Sequence, residues 1–192
     1  MGRLWAWMLV AAAGLILLSA LTETARAETG WAALNEPGRI AIMRHALAPG
    51  TGDPGHFRLG DCATQRNLNA VGRDQARRIG ASFRAAGIVF DRVLTSAWCR
   101  CRETADLLDA GAVEAFQPLN SFFRDRGQGP VQTEALRRFL AGWDRGATLM
   151  LVTHQVNITA LTGVFPRSGE VIVIEVTPDG ALTVIDRMLI DA

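Results

Sequence analysis

The sequence contains no lysine, so arginine supplies all 20 of its cationic side chains, set against 19 acidic ones. With a formal net charge of +1 and no basic run, nothing in it points to a nucleic-acid partner. An all-arginine set suits bidentate recognition of phosphate or carboxylate, but a GC-rich genome produces the same bias, so it carries little weight. Cysteine is scarce as well, with Cys62, Cys99 and Cys101 making the full complement of three. A C-x-C pair with one distant partner and no nearby histidine lacks the spacing of a zinc site, and no metal or other cofactor is expected. Histidine is equally sparse, at three residues. Internal repeats, low-complexity tracts and a second domain are also missing.

Long apolar runs are absent except at the start. There one early arginine, a run of Ala, Leu, Val and Trp, and Ala25-Arg26-Ala27 form the n-region, h-region and small-x-small pattern of a secretory signal peptide. Residues 1–27 are read as that signal and 28–192 as the domain it exports, to the periplasm or the exterior. The alternative is an uncleaved anchor, since Leu4 to Leu21 lies at the lower limit for spanning a bilayer. After cleavage no stable membrane insertion is expected. In an oxidising compartment at least one pair of cysteines should bridge, leaving one thiol over.

The chain as a whole is about half apolar, and the part after residue 27 has enough hydrophobic residues for one core. Arg39-Ile-Ala-Ile-Met-Arg-His45 reads as a short strand without polar alternation, as in a buried parallel sheet, ending on two cationic side chains. Ligands of open α/β sheets bind outside the carboxyl ends of the strands, so Arg44 and His45 are delivered to where chemistry is done. Residues 46–66 are rich in Gly, Pro, Asp and Thr and read as a long functional loop. Asn69 can cap a helix reaching about Ala86, with Ala76, Ile79 and Phe83 on one face and Gly87 closing it.

Asp91 to Ser96 reads as a second strand, leading at once into a helix through Glu103 to Leu108. A weak strand at Val113 to Phe116 precedes an irregular stretch from Pro118 to Pro130. Leu136, Phe139, Leu140 and Trp143 then recur at helical spacing, with Thr133 as the candidate cap. Thr148 to Thr153 is the strongest strand and again ends on a histidine, His154, before a helical pattern from Asn157 to Leu161. Val171 to Val176, a Pro-Asp-Gly turn at Pro178 to Gly180 and Leu182 to Ile185 read as a β-hairpin. Three strand ends therefore present Arg44 with His45, the Ser96 to Arg100 turn, and His154 on one sheet edge.

In this ordered set the sequence resembles the histidine phosphatase superfamily, which includes the cofactor-dependent phosphoglycerate mutases, and in particular its small exported bacterial members. The matching residues are Met43-Arg44-His45-Ala46, Leu68-Asn-Ala-Val-Gly72 with Gln75-Ala76, Thr95-Ser96 to Arg100 with Glu103-Thr104-Ala105, and Val152-Thr153-His154 with Asn157. The resemblance implies a three-layer α/β/α sandwich with a mostly parallel central sheet and a C-terminal β-hairpin. It implies a metal-independent phosphohydrolase in which His45 attacks phosphorus and Arg44, Arg100 and His154 bind the phosphoryl oxygens. The partner would be a phosphorylated small molecule or cell-envelope substrate.

The chain departs from the family pattern in three places. Ala46 stands where glycine usually follows the first histidine, and Gln155 where it often follows the second. Leu119-Asn120-Ser121 places a serine where many members have the glutamic acid that protonates the leaving group. Asp125 is the nearest carboxylate and the candidate donor; His154, or a leaving group that needs no proton, are alternatives. A phosphoryl-binding protein that keeps the pocket without turnover is the competing function. The family pattern also points Cys99 outward, toward the loop bearing Cys62, and packs Cys101 in a buried stripe with Ala105 and Leu108. A Cys62–Cys99 disulfide is therefore expected, with Cys101 reduced.

Overall fold

The computed structural model describes residues 30–190 apart from position 178. The expected signal segment, residues 1–27, lies outside these, as does Pro178 of the expected turn. Among the described residues no helix is long and apolar enough to cross a membrane. Six strands, β1 (Arg39–Arg44), β2 (Arg92–Thr95), β3 (Val113–Ala115), β4 (Leu149–Thr153), β5 (Val171–Val176) and β6 (Leu182–Met188), form one sheet in the order β3-β2-β4-β1-β5-β6. The β3/β2, β2/β4 and β4/β1 ladders are parallel, while β1/β5 and β5/β6 are antiparallel. The sheet is thus mostly parallel with a terminal hairpin, as expected.

Strand alternation builds two cores. Ala41 and Met43 of β1 turn toward Ile79, Phe83 and Leu108, whereas Ile40 and Ile42 turn toward Leu136, Leu140 and Leu161. Helices α1 (Ala70–Ala85) and α2 (Cys99–Leu108) therefore cover one face, and α3 (Gly129–Ala141) and α4 (Gln155–Thr162) the other. Both faces being covered explains why β1 and β4 read as unbroken apolar runs.

Helix α1 begins where its sequence indicated. The Asn69 side chain accepts a hydrogen bond from the Gly72 amide at 2.8 Å, and Gly87 follows the last turn with φ +69°. Gly72 and Gly80 are needed for close approach. A Cβ at either would lie 2.0 Å from a backbone carbonyl oxygen, that of Leu47 and Leu108 respectively. The first contact presses the loop after β1 onto α1, and the second presses α1 onto α2.

Helix α3 departs from expectation. It starts at Gly129 rather than near Thr133, with Pro130 in its first turn and Gln128 capping without a side-chain bond. Proline is pre-set for the first helical turn and needs no amide partner there, so it opens the helix that a search for a hydroxyl cap misses.

Candidate active site

The chain delivers its functional residues to the carboxyl edge of three adjacent parallel strands. Arg44 ends β1 and His45 follows it, His154 follows β4, and Arg100 is the second residue of α2, one tight turn after β2. The His45 amide donates to Thr153 O at 3.0 Å and the Ser96 amide to Val152 O at 3.0 Å, which locks the three strand ends in register. Arg44, His45, Arg100 and His154 line a cavity of about 370 Å³ together with Asp53, Arg66 and Ser121.

His45 is 2% exposed. Its Nδ1 lies 2.8 Å from the carbonyl oxygen of Ala46, which can only accept, so Nδ1 carries the proton. Nε2 is therefore the bare nitrogen, and it accepts from Arg100 Nε at 3.2 Å. Burial first, and then the charges of Arg100, Arg44 and Arg66, hold the imidazole well below its ordinary pKa. At neutral pH it is an uncharged base with an oriented lone pair.

His154 has the opposite tautomer. A guanidinium has only donors, so Arg100 Nη2, 3.4 Å from Nδ1, requires Nδ1 to be bare. Nε2–H then donates to Ser96 Oγ at 2.8 Å, and Ser96 donates to Asn120 Oδ1 at 3.3 Å. Asn120 Oδ1 also accepts from the Ala97 amide at 2.8 Å, which fixes the amide's orientation. Burial, followed by the charges of Arg100 and the neighbouring His45, lowers the His154 pKa well below the usual range.

Arg100 is 3% exposed and is saturated by protein acceptors. Besides the two histidines, its Nη1 and Nη2 donate to the two carboxylate oxygens of Asp53 at 2.7 and 3.3 Å. Asp53 also accepts from Trp98 Nε1 at 3.0 Å and from the Arg66 amide at 3.1 Å. Burial pushes its carboxyl upward, but the bonds and charge from Arg100, with those from Arg66 and Trp98, outweigh that and hold it below the ordinary value. Arg44 donates through Nη1 to Pro166 O at 3.1 Å, while its Nε is buried with no hydrogen-bond partner. Arg66 donates to Gly52 O at 2.7 Å and to Ala48 O, and burial, then Arg100, bring its pKa down to about 10, so it remains charged.

The structure thus gathers Arg44, His45, Arg100 and His154 and leaves Asp125 out. The Asp125 carboxylate accepts from the Gly127 amide at 3.2 Å, capping the short turn before α3, and does not line the cavity. Ser121, the residue that stands at the usual glutamic acid position, does line it. The segment is pinned there, because Asn157 Nδ2 donates to Asn120 O at 2.8 Å and Thr153 Oγ1 to Leu119 O at 2.6 Å.

Cys62 and Cys99 are bridged, with Cα atoms 5.7 Å apart, and Cys101 is free and buried. The bridge ties the loop that carries Asp53 and Arg66 to the first turn of α2. Burial pushes the Cys101 thiol up to about 12, so it stays protonated, with Sγ 3.5 Å from His154 Nε2.

Sequence reasoning missed Asp53, Arg66, Asn120 as a support of His154, and Arg126 at the cavity mouth. Asp53 had only its place in the long loop to mark it, and an aspartate among glycines and prolines looks like a turn residue.

The model of the histidine phosphatase superfamily, branch 1, matches residues 40–122, which include β1, Arg44, His45 and Arg100. Over that stretch the sequence is similar to that superfamily. Solved structures share the fold. The protein histidine phosphatase SixA, complexed with tungstate, is 18% identical with a TM-score of 0.56, the match covering 78% of this chain and 96% of SixA. The alpha-ribazole phosphatase from Shigella flexneri is 16% identical with a TM-score of 0.57, covering 77% of this chain and 95% of that one. The mycobacterial glucosyl-3-phosphoglycerate phosphatase is 12% identical with a TM-score of 0.55, covering 77% and 97%. A search of curated proteins found no match to the sequence.

Proposed function

We propose that this chain is a metal-independent phosphomonoester phosphatase that works through a phosphohistidine on His45 and acts on an exported or cell-envelope substrate. The observation that carries the reading is the state of His45: neutral, with Nδ1–H fixed on Ala46 O and Nε2 facing a cavity walled by arginines. Arginines at the wall favour an oxyanion and repel a metal ion. Their relatives in fold bear the names of phosphatases.

An entering phosphate dianion competes with Asp53 for Arg100 and offers an acceptor to the unpartnered Nε of Arg44. Drawing Arg100 onto the phosphoryl oxygens also frees the lone pair of His45 from the Arg100 Nε–H. Nε2 then attacks phosphorus as the bond to the leaving oxygen breaks. The proton stays on Nδ1, donated to Ala46 O throughout, so the intermediate is a phosphoimidazolium whose positive charge the carbonyl stabilises. Water attacks phosphorus, the P–N electrons return to Nε2, and phosphate leaves.

Among the described residues no free carboxylic acid lines the cavity, since Asp53 is held ionised and Ser121 is too weak an acid. The leaving group therefore departs with little help from an acid, so esters with stable leaving groups should turn over fastest. The same feature favours the second reading, a phosphoryl-binding protein without turnover. The protein beginning at residue 28 should hydrolyse aryl phosphates in EDTA, and His45→Ala should not. Hydrolysis that requires an added divalent ion, or that survives in His45→Ala, contradicts the proposal. The exported location rests on the N-terminal sequence and accords with the disulfide, and cell fractionation tests it.

A further inference from the structure

The cavity holds more positive charge than a phosphoryl group can balance. Its charged lining is Arg44, Arg66, Arg100 and Arg126 against Asp53 alone, and both lining histidines are held neutral. A phosphomonoester dianion brings two negative charges and Asp53 a third, which leaves one guanidinium uncompensated. Position identifies it. Arg44, Arg66 and Arg100 are fixed to backbone carbonyls or to Asp53 around His45. Arg126 comes from the short turn before α3 and is exposed, with its guanidinium carbon 4.8 Å from the centroid of the Phe123 ring and, among the described residues, no carboxylate paired with it.

Apolar surface surrounds this free cation. Phe123 and Phe165 line the same cavity and are 39% and 70% exposed, unusual for phenylalanines with no other role. The cavity therefore has two halves of different chemistry. A buried half, around His45, is built for a phosphoryl group. A mouth with two open aromatic rings and one unpaired guanidinium suits a flat or apolar group that itself carries an anion.

We infer that the substrate is an organic phosphate whose leaving group bears a second anionic group, and that Arg126 with Phe123 and Phe165 forms the subsite that selects it. The inference rests on the phosphatase reading and deepens it. Arg126 stabilises no reacting atom; it decides which ester occupies the site.

The test compares 4-nitrophenyl phosphate with 3-carboxy-4-nitrophenyl phosphate, whose leaving group carries an added carboxylate. The ratio of their kcat/KM values is the readout, so a general loss of activity does not move it. The carboxylated ester should be preferred by roughly threefold to fivefold at low salt, the range of an exposed ion pair, and the preference should fade at high salt. It should vanish in Arg126→Ala, return in part in Arg126→Lys and invert in Arg126→Glu. No preference in the wild type, or the same ratio in all four proteins, overturns the subsite while leaving the phosphatase reading intact. If neither ester is hydrolysed, the phosphatase reading fails, and stabilisation by benzylphosphonate against 4-carboxybenzylphosphonate then decides the subsite. The carboxylated ligand should raise the melting temperature more, in a manner dependent on Arg126, and equal shifts refute the inference.

Discussion

Replacing Asp53 by asparagine exposes the charge design of the site. Its carboxylate and the Arg100 guanidinium are 5% and 3% exposed, so the pair sits where water cannot substitute for a lost partner. Each carboxylate oxygen accepts two bonds: Oδ1 from Arg100 Nη1 and the Arg66 amide, Oδ2 from Arg100 Nη2 and Trp98 Nε1. An amide has one accepting oxygen, and its NH₂ would face two donors whichever way it turned. Losing one partner of a buried ion pair costs about 3–5 kcal/mol, which for a domain of this size lowers Tm by roughly 10 °C. Inorganic phosphate should restore part of that loss, because a dianion no longer has to displace Asp53 from Arg100. Calorimetry should therefore show a larger stabilisation by phosphate in Asp53→Asn than in the wild type. Acid titration adds a sign. A carboxyl with a depressed folded pKa stabilises the fold above the unfolded value of about 3.9 and loses that contribution as pH falls through the folded value. Wild type should lose stability in that window and Asp53→Asn should lose less. A stability change under 1 kcal/mol, or equal stabilisation by phosphate in both proteins, would refute this account of Asp53.

Three further outcomes are expected. Reduction of the Cys62–Cys99 bridge, which closes a separation of 37 residues, should cost about 4 kcal/mol in the chain-entropy model and lower activity by loosening the loop that carries Asp53; peptide mapping that finds Cys62 free or linked to Cys101 would contradict it. His45 and His154 have depressed folded pKa values, so the unfolded chain takes up protons first; stability should be flat above pH ~6.5 and fall below it by up to about 1.4 kcal/mol per pH unit for each, while a maximum near pH 5 would show the histidines to be charged in the fold. Arg44→Ala should lower kcat/KM by at least a hundredfold, about 3 kcal/mol of transition-state binding, and near-normal kinetics would remove Arg44 from the phosphoryl clamp.

The parts of the fold legible in the sequence are those that one local rule decides. The apolar runs of β1 and β4, the Asn69 cap and the 171–185 hairpin each follow from periodicity or capping. The candidate site was visible as far as strand ends deliver it, because Arg44, His45 and His154 immediately follow or end a strand. What stayed hidden depends on contacts across sequence. Asp53 lies 47 residues from Arg100 and becomes meaningful only when the loop folds beneath α2. Asn120 supports His154 through Ser96, a chain that no spacing rule records. Asp125 lies outside the cavity lining for the converse reason: proximity in sequence suggested the cavity, whereas the Gly127 amide, two residues on, is bound by its carboxylate.

The central claim is that His45 Nε2 becomes covalently phosphorylated. Rapid quenching of the protein beginning at residue 28 with ³²P-labelled aryl phosphate, followed by peptide mapping under alkaline conditions that preserve phosphohistidine, tests it directly. The account predicts label that approaches one phosphoryl group per active site at early times, resides on the peptide containing His45, is labile to acid, and is lost in His45→Ala. Turnover without label on that peptide, or label that persists in His45→Ala, would contradict it.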